Sequence, residues 1–199
     1  RAELVDRILG LNGHVAIYST EGNGIKNYDD LALSITEMPG VIAVTPQIEG
    51  QVMATRNAVS LGAVIRGVRW SDLAARKPLW DSLDEKAIAG FRDNGGVLIG
   101  KTMAFKTGIA PGGTITLTTA RGKATAFGTL PTRRSFKVAG VFDVGMHEYD
   151  TSFIFMPLDV AGDFLGLPAS VSGLEIYVDD PQNIAFYRTA IAGTLEKNL

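Results

Sequence analysis

The sequence predicts an α+β fold: one layer made from the two ends of the chain, with a mostly β insert between them. Three observations carry that expectation. The chain opens and closes on strand-and-helix patterns, and β-branched runs recur through its middle. Its 199 residues, 46% hydrophobic and 20% charged, suffice for one sizeable core or two small ones.

Leu4, Ile8 and Leu11 stand at helical spacing, and Gly10 and Gly13 end that pattern ahead of a strand over residues 14–19. The turn "EGNG" leads to a helix from about Asp29, with Leu31, Ile35 and Met38 on one face, stopped by Pro39 and Gly40. "VIAVTPQIEGQVMA" and "SLGAVIRGVRW" read as strands interrupted at Pro46 and Gly50, so the first seventy residues are β-α-β-β. The stretch "SDLAARKPLWDSLDEKAIAGFRDNGG" is polar, with short helical patches around Leu73 and Ala87. Strands resume at 114–119, 135–144 and 152–158. Pro157 then opens a short helix through Val160, Ala161, Phe164 and Leu165, which Gly166 ends. "SGLEIYV" is the last strand. Asp180 is the expected cap and Pro181 the first residue of a final helix whose apolar stripe is Ile184, Tyr187, Ile191 and Leu195. The end layer is expected over 1–70 and 171–199 and the insert over 71–170.

Composition excludes several functions. A net charge of −2 gives no general attraction to nucleic acid or anionic lipid. Without cysteine there is no disulfide, thiolate metal site or cysteine nucleophile, and the compartment stays open between cytosol and periplasm. No apolar run reaches the roughly 18 to 20 residues that span a bilayer, and no signal peptide opens the chain. A start at Arg1 reads as a fragment or processed form with room for membrane segments in its flanks.

"GGVLIGKT", residues 95–102, matches the G-x-x-x-x-G-K-[ST] pattern of phosphate-cradling loops. Such a loop follows a buried strand, yet "AGFRDN" precedes it here, and Val97 and Ile99 favour extended chain over a curled nest. The better reading is a short strand, 97–99, ending at Gly100, with Lys101 opening a turn of helix. "GMHEYD" holds His147, Glu148 and Asp150, but with only two histidines in the chain a polar turn between strands explains it better than a metal or acid–base site. Neither Gly-x-Ser-x-Gly nor a Ser-His-Asp grouping is present, so no catalytic residue, cofactor or metal is expected.

From Arg121 to Lys137 there are five basic residues and no acidic one, in a chain of slightly negative charge. Phe127 and Leu130 lie in the same connection, a loop of about twelve residues, longer than a hairpin needs. One reading is a solvated loop with Phe127 folded back on the core. The other is a protruding loop with an apolar tip for a partner's pocket and Arg133 and Arg134 at its base for that partner's acidic groups.

Together with "ILGLNGHVAIYS", "VTPQIEGQVMA", "GAVIRGV", "VLIGKTMAFKTGIAPGGTITL" and "VSGLEIYVDDP", the segment "FGTLPTRRSFKVAGVFDVGMHEYDTSFIFMPL" resembles the periplasmic domain of LolC/LolE-type permeases. These are the inner-membrane subunits of the bacterial lipoprotein-releasing ABC transporter. The resemblance covers nearly the whole chain and implies a porter-like subdomain (1–70 and 171–199) with an inserted β-rich, Sabre-like subdomain (71–170) of the kind MacB-type transporters also carry. It implies a non-enzymatic domain, with ATP hydrolysis on a separate LolD-type subunit and a second permease subunit, self or sister, beside it. It implies that triacylated lipoproteins pass to the periplasmic chaperone LolA, whose cavity receives a hook. The hook-like residues here are Lys123, Ala124, Thr125, Ala126, Phe127, Gly128, Thr129, Leu130 and Pro131, with Phe127 at the tip; Arg133 and Arg134 fall where a basic pad supports the contact. The proline with which some members open the hook is missing from "TTARGKA". LolE-like members lack the hook and receive the lipoprotein, and fused-role permeases combine both tasks. The rival within the fold is another MacB-type permease, serving efflux or cell-wall remodelling.

Overall fold

The computed structural model describes residues 11–20, 23–125 and 128–198, with side chains except at 120–125, 128–130 and 196–198. The chain divides into two compact units, one of residues 1–47 and 169–199 and one of residues 48–168.

In the first unit, strand β1 (Val15–Tyr18) precedes helix α1 (Tyr28–Thr36), and the early part of strand β2 (Val41–Arg56) follows. Strand β8 (Gly173–Val178) enters from the far end of the chain and pairs antiparallel with both β1 and β2, giving the order β1-β8-β2. Val15, Ile176 and Val44 are aligned across the three strands, and Leu174, Ile176 and Val178 are fully buried. A single 3-10 turn (Pro181–Asn183), capped by Asp180 accepting from Gln182 N–H at 3.1 Å, feeds helix α8 (Ile184–Asn198). The expected stripe holds: Tyr187 and Ile191 are buried and Ile184 and Leu195 half-buried, and α8 packs on β1 and α1. Ala32 and Ile35 bury the inner face of α1, with Leu31 and Met38 half-buried beside them. Each fully buried aliphatic of this kind stabilises by about 1.5–3 kcal/mol. The predicted helix around Leu4 and Ile8 lies outside the described residues.

The second unit is built on a closed ring of strands. The later half of β2 pairs with β3 (Val59–Val68), and the order runs β2-β3-β7-β4-β6-β5, with β5 returning to β2 through Met53↔Thr118, Ala54↔Leu117 and Thr55↔Thr116. The members are β4 (Val97–Gly100), β5 (Thr114–Thr125), β6 (Gly128–Phe142) and β7 (Phe153–Pro157). Pairing of β5 with β2 closes the ring over Thr116–Thr118, beyond which β5 and β6 continue as a two-stranded ribbon. Leu98, Ile99, Leu117, Val138, Ile154 and Phe155 are buried at 0% exposure, and because neighbours along a strand alternate, Leu98 and Phe155 share one face of the sheet and Ile99 and Ile154 the other. Short helices α2 (Trp70–Ala75), α3 (Lys77–Trp80) and α4 (Glu85–Asn94) realise the patches expected around Leu73 and Ala87, and α4 is capped by Asp84 accepting from Ala87 N–H at 2.7 Å. Helix α5 (Lys101–Thr107) follows β4, α6 (His147–Ser152) precedes β7, and α7 (Leu158–Leu165) packs on β3.

Three expectations are corrected. β2 runs unbroken through Pro46 and Gly50. Pro46 lies where β2 pairs with β8, and a proline is tolerated where its missing N–H would have pointed away from the ladder; Gly50 leaves room for Leu165, whose Cδ1 stands 2.7 Å from where a Cβ would be. The compact units meet at 47/48 and 168/169, because the second half of β2 pairs into the ring with β3 and β5. Residues 147–150 begin a helix instead of a turn. Pro157 is the last residue of β7 and the cap of α7, one position before the helix.

Candidate partner-binding hairpin

The connection expected as a loop of about twelve residues is mostly strand. β5 and β6 pair antiparallel from Thr114↔Lys137 to Thr119↔Thr132, the register shifts, and pairing continues through Lys123↔Leu130, Ala124↔Thr129 and Thr125↔Gly128. Threonine, alanine and glycine backbones that continue an existing ladder satisfy their N–H and C=O groups more fully than a loop would, which is the physical reason for the longer ribbon. Ala126 and Phe127, between the last paired residues, lie outside the described residues, as do the side chains of Lys123, Ala124, Thr125, Gly128, Thr129 and Leu130. Pro131 is exposed.

Adjacent residues of a strand point to opposite faces, so the ribbon separates the two pad arginines. Arg133 is exposed opposite Thr118, on the face it shares with Ser135 and Lys137. Arg134 lies on the other face, opposite buried Leu117, with its guanidinium 5.1 Å from the Phe136 ring centre; Phe136 in turn meets Phe164 edge-on at 5.1 Å. Arg134 is exposed like Arg133 and Lys137, differing in that its guanidinium lies over a ring, and none of the three has an ion-pair partner among the described residues. The basic bias is wider than the hairpin: from Asn94 to Phe142 the sequence has seven lysines and arginines and no acid. Sequence reasoning missed Met53, which β2 places beside Thr118 with 47% of its surface exposed; no local signal joins residues that only sheet pairing brings together.

"GGVLIGKT" takes the predicted strand-then-helix form. Gly95 ends α4 in the left-handed region at φ 62, residues 97–100 are all buried in β4, and Lys101 opens α5. β4 pairs with β6 on one side and β7 on the other. A Cβ at Gly100 would lie 2.6 Å from Asp150 Cα, so this glycine serves the approach of α6. Lys101 Nζ pairs with Asp143 Oδ2 at 2.7 Å, which raises the lysine and lowers the carboxylate from their ordinary pKa values, chiefly through that hydrogen bond.

His147, Glu148 and Asp150 do not converge on a ligand. His147 and Glu148 are exposed, whereas Asp150 is buried and accepts from Val144 N–H at 3.0 Å, with burial pushing its carboxyl above the usual range. Among the described residues no group of three or more His, Cys, Asp or Glu is placed to hold a metal. His14 is likewise engaged, its Nδ1 accepting from Val178 N–H at 3.0 Å. No described helix is long and apolar enough to cross a membrane.

The fold is that of a split α/β layer and a ring of strands drawn out into a hairpin, and residues 3–193 match the family of the MacB-like periplasmic core domain. The chain belongs to that family, and is a periplasmic domain of an inner-membrane protein. It is 26% identical over 148 residues to the lipoprotein-releasing system transmembrane protein LolC of Neisseria meningitidis, covering 72% of this chain and 35% of the relative. It is 23% identical over 184 residues to the corresponding LolE of Haemophilus influenzae, covering 90% and 44%. The chain thus spans less than half the length of these curated relatives. In fold it is similar to the extracellular domain of the ABC-type transporter YknZ from Gram-positive bacteria (TM-score 0.58, 16% identity, 92% of each chain). It is also similar to the periplasmic region of MacB from Actinobacillus actinomycetemcomitans (TM-score 0.58, 13% identity, 98% of this chain and 88% of that one).

Proposed function

We propose that this domain belongs to a lipoprotein-releasing permease and hands triacylated lipoproteins to a LolA-type periplasmic carrier docked on the β5–β6 hairpin. The observation that supports this most is the hairpin itself: a two-stranded extension with exposed Arg133 at its base, in a chain similar to LolC over most of its length. The apolar side chain of Phe127 enters the carrier's greasy cavity and supplies affinity, and the basic base of the ribbon supplies orientation and on-rate. ATP hydrolysis takes place on a separate LolD-type subunit, a second permease subunit completes the pair, and this domain performs no chemistry of its own. The fold alone fits an efflux or remodelling permease equally well; the LolC and LolE relatives weigh toward lipoprotein release.

The test is a binding titration of this chain against the LolA-type carrier of the same bacterium, beside a version lacking residues 123–130. Saturable binding that vanishes with the hairpin end is expected. A folded domain that does not bind would overturn the proposal. Within a binding pair, Phe127→Ala weakens docking by roughly 1–3 kcal/mol.

A further inference from the structure

Helix α5 buries Met103, Ala104 and Thr107 and turns Lys101, Phe105 and Lys106 outward. Folding makes no use of the Phe105 ring, which at 87% is the most exposed of the large apolar side chains among the described residues. The loop that follows extends this surface through Gly108, Ala110, Pro111 and Gly112, and a Cβ at either glycine would meet nothing within 4 Å. Lys106 has no ion-pair partner among the described residues. Lys101 is paired with Asp143, and α6, which packs on α5, adds exposed His147 and Glu148. What projects is therefore one aromatic ring beside one uncommitted cation, on a small and open loop. Its place in the ring of strands is defined by register: α5 leads from Gly100, level with Phe142 on β6, to Thr114, level with Lys137. Gly128, where the hairpin begins to turn, is roughly 30–45 Å away along β6 at strand spacing, so Phe105 and the hairpin's end mark opposite ends of this unit.

We infer that Phe105 and Lys106 rest on the anionic lipid surface of the inner membrane, the ring at the boundary of headgroups and acyl chains and the ammonium among lipid phosphates. Shape favours lipid over protein. A protein partner needs a complementary patch of roughly 800 Å² around its anchors, whereas a fluid interface takes up an isolated projecting ring without a matching surface. Charge favours it as well: residues 94–142 contain no acid, and each cation near an anionic bilayer strengthens the contact about fivefold. The surface is at hand, because the domain belongs to an inner-membrane protein, and tethering lets a contact too weak to hold a free protein be occupied. Orientation completes the argument. A soluble carrier reaches the hairpin's end from the aqueous side, which turns the other end of the unit toward the bilayer; on this point the inference rests on the function proposed above, to which it adds a lipid contact.

The experiment places the whole permease in nanodiscs of phosphatidylethanolamine and phosphatidylglycerol, with a genetically encoded, environment-sensitive fluorophore at position 105 or, for comparison, at exposed position 131 near the hairpin's end. Emission from 105 shifts to the blue and is quenched by lipids spin-labelled just below the headgroup, and emission from 131 does neither. With the fluorophore at exposed position 110 instead, Phe105→Ala lowers the lipid-contact equilibrium about tenfold and Lys106→Ala about fivefold. Replacing phosphatidylglycerol by phosphatidylcholine reproduces the lysine effect. A blue shift at 105 without quenching by lipid, which a second copy or another protein seated on the ring would give, overturns the inference, and so does solvent-like emission. The same discs are titrated with the LolA-type carrier. Carrier binding without lipid quenching overturns the lipid contact alone, whereas lipid quenching without carrier binding keeps the contact and overturns the hook.

Discussion

Two stretches of the second unit look like recognition motifs, and the fold treats them oppositely. In residues 95–102 each key position has an internal duty: Gly95 ends a helix at φ 62, Val97 to Ile99 are core, Gly100 admits Asp150, and Lys101 is paired with Asp143. In the β5–β6 hairpin Arg133 and Lys137 are exposed, with no ion-pair partner among the described residues, and the ribbon extends beyond its last pairing with β2 at Thr118. The glycines and apolar residues of such a motif are taken up by the fold, and its lysine is engaged in a surface ion pair. A segment with more charge and length than folding requires is where recognition is to be sought.

Breaking the first stretch produces the largest effect. Gly100→Val drives a side chain into the Asp150 backbone and costs about 3 kcal/mol or more, read as a fall in denaturant midpoint or loss of folded protein. Removing residues 123–130 does the reverse, abolishing carrier binding while leaving the melting temperature of the core nearly unchanged. Asp150→Asn gives an intermediate, pH-dependent result. Burial lifts this carboxyl, so the folded state holds its proton more tightly than the unfolded chain, and the group costs stability as pH climbs from the ordinary carboxylate value of about 3.9 to its raised one. Any advantage of the asparagine variant at neutral pH therefore closes below about pH 4 in denaturation curves taken from pH 7 downward. Smaller still, Ala169→Gly relieves an alanine held at φ 55 and gains about 0.5–1 kcal/mol net of the entropy that glycine adds to the unfolded chain. Lys101→Ala leaves the midpoint within scatter, since its ion pair is exposed, and nucleotide does not raise the melting temperature of parent or variant.

Much of the fold was legible because its signals are local. The α8 stripe of Tyr187 and Ile191, the strand at 97–99 and the Gly166 stop at φ 72 all follow from spacing and backbone chemistry within a few residues. What failed was non-local. Nothing near Pro46 announces that β2 continues unbroken and passes from pairing with β8 to pairing with β3 and β5. At the candidate site the basic run was visible, but the strand pairing that sends Arg133 and Arg134 to opposite faces and brings Met53 beside Thr118 depends on register, which a single sequence does not specify.

The most direct test of the contrast is site-specific photo-crosslinking in the whole permease in its own bacterium, with the reactive residue at position 127 or, for comparison, at exposed position 105 on α5. Adducts with the LolA-type carrier from position 127 and none from 105 are the predicted result. Adducts from 105 alone, or from neither position while the permease remains active, would contradict the account.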